Sequence, residues 1–130
     1  VILSLLDEES GTLHFVNGGH PKPVLYRRGR ASYFGEKVIV HKPGMKFFQA
    51  SPENVEFMRF DPGDVVFFGS DGRDDLIVDY DSGHPVINED ESVFLRVVEE
   101  ADGKTSRIYK KLRRIGELSD DITLIRIAAP

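Results

Sequence analysis

Val1 to Leu6 form a nearly unbroken apolar run that reads as a largely buried strand, closed by the polar stretch Asp7-Glu8-Glu9-Ser10-Gly11. Thr12 to Val16 then alternate, with Leu13 and Phe15 on one face. Two such runs around a glycine-ended turn predict a β-hairpin, since Gly11 can adopt positive φ. Asn17-Gly18-Gly19-His20-Pro21 reads as a tight corner and Pro23 to Arg27 as a third strand. One or two short strands are expected within 31–41, a turn at Lys42-Pro43-Gly44, and loop from Met45 to Pro52. Asn54 to Phe60 alternate again, placing Val55, Phe57 and Arg59 on one side. Asp61-Pro62-Gly63-Asp64 is a proline turn. The continuous run Val65-Val66-Phe67-Phe68 predicts a strand covered on both faces.

Beyond this strand the period changes, and two helices are expected. Asn88-Glu89-Asp90-Glu91 has the form of a capping box, followed by an apolar stripe of Val93, Phe94, Val97, Val98 and Ala101. A second helix begins near Thr105 or Ser106, with Ile108, Tyr109, Leu112 and Ile115 inward and Lys110, Lys111, Arg113 and Arg114 outward. Gly116 stops it. Ile122 to Ala128 is a closing strand. Strands, then helices, then a returning strand make an α+β domain, a sheet or two stacked sheets with helices on a face.

Composition narrows the function. The 130 residues suit one domain or a piece of one, and 40% hydrophobic with 30% charged content can bury a core. A net charge of −5 argues against a nucleic-acid binder. The absence of cysteine excludes disulfides, zinc–thiolate sites and cysteine nucleophiles, and is compatible with a reducing, cytoplasmic compartment. No apolar run approaches the length of a membrane span, and none reads as a signal peptide. The chain starts inside a strand-like run without methionine, so it is expected to be a piece of a longer domain.

Two acidic motifs carry the candidate chemistry. Gly69-Ser70-Asp71-Gly72 follows the apolar strand, and Ser119-Asp120-Asp121-Ile122-Thr123-Leu124 leads into the last one. Carboxylates at strand ends suit hard cations such as Mg²⁺ or Mn²⁺. Each motif read alone is equally a turn: Asp-Gly is a common turn pair, and adjacent aspartates tolerate each other in water. Asp74 and Asp75 fit either a loop brace or the acidic first turn of a helix. His20 is better read as part of a turn than as a ligand. His14 faces out from its strand, and His41 and His84 fall in loops. The cluster from Lys110 to Arg114 fits a solvated helix face, or a seat for phosphate or an acidic partner.

Taken in order, the pieces resemble a known family. "TLHFVNGGHPKPVLYRRG" is similar to the Asn-Ala-Gly-His-Pro motif of the sporulation-stage-II-protein-E type phosphatases, within the metal-dependent PPM (type 2C) class. "FDPGDVVFFGSDGRDDL" resembles its Pro-Gly-Asp, apolar strand and Ser/Thr-Asp-Gly segment. "GELSDDITLIRI" resembles its closing Asp-Asp-x-Thr motif. The resemblance covers nearly the whole chain. It implies an αββα architecture, an antiparallel β-sandwich flanked by helices and here incomplete at its N-terminus, as one domain piece over 1–130. It also implies a binuclear Mn²⁺ or Mg²⁺ centre, with Asp71 and Asp120 as metal ligands and Gly72 and Asp121 close behind them. The implied reaction is hydrolysis of phosphoserine or phosphothreonine by metal-activated water, on a substrate such as an anti-sigma-factor antagonist.

Two departures qualify that expectation. The upstream Asp-x-x-Gly-His-Gly-type motif, which supplies the family's bridging aspartate and a metal-binding glycine carbonyl, is absent from the chain. The Pro-Leu-Gly segment is not recognisable either; Lys42-Pro43-Gly44-Met45 stands roughly in its place. The chain alone is therefore expected to be inactive, and its uncovered apolar faces to drive dimerisation or strand exchange. The competing reading is a phosphatase-like binding or sensor module that has lost catalysis.

Overall fold

The computed structural model describes residues 1–36, 44 and 51–129. In chain order the elements are β1 (Ile2–Asp7), β2 (Thr12–Asn17), β3 (Val24–Arg27), β4 (Arg30–Tyr33), β5 (Glu56–Arg59), β6 (Val65–Gly69), β7 (Leu76–Asp81), β8 (His84–Ile87), α1 (Val93–Glu100), α2 (Thr105–Ile115), β9 (Glu117–Leu118) and β10 (Leu124–Ala128). They form an antiparallel three-stranded sheet β1-β2-β5, a four-stranded sheet β10-β6-β3-β4 and a small sheet β8-β7-β9. The expected turn at 42–44, the loop assigned from Met45 and His41 fall wholly or largely outside the described residues.

β6 organises the layers. Every residue from Val65 to Gly69 is buried, and alternation sends successive side chains to opposite faces. Val66 and Phe68 join Leu13 and Phe60 in one core, against the β1-β2-β5 sheet. Val65 and Phe67 join Val24, Phe94, Val97, Val98, Ile108 and Leu112 in the other, beneath the two helices. Removing a Phe or Val side chain from water there stabilises the fold by about 1.5–3 kcal/mol each. The sequence of layers is thus sheet, sheet, helices. Val55 and Phe57 do share a face, as expected; that face of the first sheet is exposed, together with Leu3 and Leu5, so β1 is not the largely buried strand its apolar run predicts: only one face of this sheet meets a core.

Several expectations need correction. No helix follows Asp71 directly: a single 3-10 turn (Asp71–Arg73) leads into the β7–β8 hairpin, so Asp74 and Asp75 do not open a helix. His84 lies in β8, not in a loop. The capping box does not form, because the hairpin returns Asn88 to the Asp71 loop. Its side-chain amide donates to the Asp74 and Asp90 carbonyls, and the Asp90 carboxylate accepts the Ser92 amide at 2.9 Å instead. On α2 only Ile108 and Leu112 are buried. Tyr109 and Ile115 lie on the flanks of this narrow stripe and remain exposed. The last strand begins at Leu124, because the chain bends at 119–120 and runs irregularly through 121–123.

One buried ion pair ties the layers together at the β5–β6 turn. Asp64, almost fully buried, accepts from Arg27 Nε at 2.8 Å and from the Asp61 amide at 2.8 Å. Burial pushes the Asp64 carboxyl up, but the Arg27 guanidinium and the Asp61 amide outweigh it and hold the group below its usual 3.8. A folded value below the unfolded one gives stability that is complete above the unfolded pKa and lost as pH falls through the folded one. Asp64→Asn should cost about 2 kcal/mol at neutral pH, reduced from the full buried-pair value because Arg27 is partly exposed. Urea denaturation at pH 7 and pH 2.5 checks this: the difference from wild type should shrink at the lower pH.

Candidate metal centre

β6 ends at Gly69, and the chain turns sharply through Ser70-Asp71-Gly72. β10 begins at Leu124, just after Asp120-Asp121-Ile122-Thr123. Because β6 and β10 pair antiparallel with Leu124 opposite Gly69, these segments leave the same end of the sheet side by side. Ser70 joins them: its amide donates to the Thr123 carbonyl at 2.9 Å, its hydroxyl accepts from the Thr123 amide at 2.9 Å, and the same hydroxyl donates to the Asp121 carbonyl at 3.2 Å. Gly72 allows the closest approach. A Cβ there would lie 2.6 Å from the Asp121 carbonyl oxygen and 3.1 Å from that of Asp120.

The aspartates sit on this junction. Asp71 and Asp120 are both exposed, and each carboxylate accepts its neighbour's amide, Gly72 at 3.2 Å and Asp121 at 2.7 Å. Asp121 meets the other loop through its backbone carbonyl. Neither Asp71 nor Asp120 has an ion-pair partner among the described residues. The donors match a hard divalent cation in kind. In number they fall short: among the described residues no group of three or more His, Cys, Asp or Glu could hold a metal ion.

Behind Asp71 lies a residue that sequence reading passed over as part of a polar loop. Arg73 is 1% exposed. Its Nε donates to Asp74 at 3.0 Å and one terminal nitrogen to the Lys22 carbonyl at 2.6 Å. The guanidinium lies 4.7 Å from the Phe94 ring centre and 5.8 Å from that of Tyr33, within cation–π range. Nη1 is buried without a partner. Nothing in Arg73-Asp74-Asp75 signals burial, because the rings that receive the guanidinium come from β4 and α1. Burial raises the Asp74 carboxyl, opposed by Arg73.

The Asn17–Pro21 corner approaches the same region. Asn17, buried, accepts the His20 amide at 2.8 Å and donates to the His20 carbonyl at 2.9 Å, as a structural turn requires. His20 Nδ1 is buried and unpartnered. Burial and then the Val1 ammonium lower the pKa of the imidazole, while Asp71 acts in the opposite direction. His14 lies on the less buried side of β2, and its ring centre is 6.4 Å from that of Phe57.

The whole chain, residues 1–130, matches the sequence profile of the family described as Stage II sporulation protein E, SpoIIE. The chain belongs to the SpoIIE family. Its fold is that of PPM-type phosphatase domains. The Bacillus subtilis SpoIIE phosphatase domain, from Mn-presoaked crystals, is 16% identical with a TM-score of 0.66 over 99% of this chain and 56% of its own. The RsbU and RsbW domains of Rv1364c from Mycobacterium tuberculosis give 22% identity and a TM-score of 0.71 over 96% of this chain and 34% of theirs. The SiaA-PP2C domain of Pseudomonas aeruginosa gives 16% and 0.69 over 99% and 51%. This SpoIIE-family chain thus spans about half, or less, of the solved chains it matches. No curated protein matches it. No helix among its described residues is long and apolar enough to cross a membrane.

Gly72→Ala tests the junction. The new methyl must push the 120–121 backbone away, at a cost of about 1–3 kcal/mol for overpacking. Thermal denaturation should show that loss, and the amide signals of Asp120 and Asp121 should shift. An unchanged melting temperature would mean the loops are not in contact.

Proposed function

We propose that this chain forms part of a metal-dependent serine/threonine protein phosphatase, with Asp71 and Asp120 as metal ligands and Gly72 and Asp121 shaping the junction between them. The carrying observation is the contact of the Ser70–Gly72 turn with the Asp120–Thr123 bend. It brings to one sheet end two acidic motifs separated by more than a third of the chain. Mn²⁺ or Mg²⁺ is the expected cation; the Mn-soaked relative makes Mn²⁺ the first to try. A bound metal pair would supply an activated water and neutralise the phosphate dianion. Membership of the SpoIIE family supports a phosphorylated anti-sigma-factor antagonist as the substrate, in partner-switching signalling in the cytoplasm.

The chain alone is inactive in this reading, since two carboxylates hold a cation weakly. That same shortfall favours a second reading, a phosphatase-like binding module. Calorimetric Mn²⁺ titration separates an occupied site from a coincidental one. Wild type should bind weakly, and Asp71→Ala and Asp120→Ala should each abolish the heat. Equal responses from all three would remove the assignment. Purified chain should not hydrolyse p-nitrophenyl phosphate with Mn²⁺ present; measurable turnover would overturn the claim of inactivity.

The first sheet supports self-association as well. Leu5 is 67% and Phe57 75% exposed on its outer face, and β1 is an edge strand of apolar character. Sedimentation at rising concentration should show dimers or larger species, and Phe57→Lys should reduce them. A compact monomer throughout would count against it.

A further inference from the structure

The packing of the helical core does not require a cation at position 73. The Arg73 guanidinium lies between the Phe94 ring of α1 and the Tyr33 ring of β4, where an apolar side chain would avoid the cost of taking a charge out of water. Its ion-pair partner is Asp74, at 3.0 Å, and Nη1 is buried without a partner. A buried donor left unmatched calls for a reason beyond packing.

The side chain folds back on its own loop. Asp71 to Arg73 form the 3-10 turn, with the Arg73 amide donating to the Ser70 carbonyl at 3.2 Å and the Asp74 amide to the Asp71 carbonyl at 2.8 Å. The Arg73 stem then covers Gly69: a Cβ there would lie 2.9 Å from Arg73 Cδ and 3.1 Å from Leu124 Cδ1. Glycine at 69 thus makes room for the stem at the point where β6 and β10 part. The far end is anchored outside the loop, on the Lys22 carbonyl at 2.6 Å, just before β3.

Asp71 has no such anchor of its own. It is exposed, and its carboxylate accepts from the adjacent Gly72 amide, inside the same turn. Its position relative to the sheets therefore follows the path of 70–73. Ser70 clamps that path on one side, through Thr123, and Arg73 clamps it on the other. A planar guanidinium can meet two acceptors and stack on rings at once, whereas a lysine ammonium is a single point charge. Asp74 balances the charge, so the effect on the neighbouring carboxylates is one of geometry.

We propose that Arg73 is a positioning residue of the Asp71–Asp120 centre, acting through the turn that presents Asp71. The inference rests on the phosphatase reading for the centre itself. It makes affinity for a divalent cation depend on β4, α1 and the approach to β3, which lie outside both acidic loops.

Mn²⁺ titration, followed by broadening of the Gly72 and Asp121 amide signals, tests this. Arg73→Met fills the space with an unbranched apolar chain and removes the anchors. Its Mn²⁺ affinity should fall about tenfold, as when an outer support of a metal ligand is lost. Arg73→Lys keeps the charge without the fork and should fall as far. A merely structural arginine would lower the melting temperature and leave the affinity of the folded chain as it was. Tyr33→Leu covers the case of an Arg73 variant that does not fold, because Tyr33 is only partly buried. It should weaken Mn²⁺ binding by a smaller factor, and Tyr33→Phe, which keeps the ring, should restore it. Wild-type affinity in folded Arg73→Met or Arg73→Lys would overturn the proposal, as would equal affinities in Tyr33→Leu and Tyr33→Phe. Those results remove the role of Arg73 alone; a wild-type chain that shows no broadening removes the phosphatase reading, and this inference with it.

Discussion

Gly72 has no side chain, and the Asp121 carbonyl already occupies the place a Cβ would take, 2.6 Å away. This contact between two turns underlies the rest of the site. It requires β6 and β10 to be neighbours in one register, so that Gly69 faces Leu124 and both chains leave the sheet together. It requires Ser70 to satisfy the Thr123 amide and both facing carbonyls, because unpaired backbone groups in so close a junction would be costly. Only then do Asp71 and Asp120 emerge from one patch of backbone.

The junction is supported from behind by Arg73. A guanidinium moved out of water is expensive unless its donors are used, and this one bridges the Lys22 carbonyl, the Asp74 carboxylate and two aromatic faces. It links the Asp71 turn to the approach to β3, to β4 and to α1. The buried β6 side chains and the Arg27–Asp64 pair fix the sheets themselves. The same frame carries β7 and β9 out of the acidic loops as paired neighbours.

How much of this was legible in the sequence follows from where the information is local. The alternation of β2, the continuous apolar run of β6 and the buried stripe of α1 announce themselves because each is written in neighbouring residues of one short segment. The β7–β8 hairpin does not, since beyond Leu76 and Ile77 its residues are exposed and no core face imposes alternation. Its turn, with Ser82 and Gly83 at positive φ, was the remaining signal. Asp71 and Asp120 could be named from their motifs. The hydrogen bonds of Ser70 and the burial of Arg73 depend on partners some 50 and 20 residues away, which no local pattern encodes.

The central claim is that two acidic side chains far apart in sequence share one small region of surface. A double-mutant cycle of Asp71→Asn and Asp120→Asn, measured by urea denaturation in metal-free buffer at low ionic strength, addresses it directly. Neighbouring carboxylates repel, so neutralising either should relieve what neutralising the other relieves, giving a coupling of about 0.5–1 kcal/mol that fades with salt. Strict additivity at every salt concentration would place the two charges apart and contradict the account.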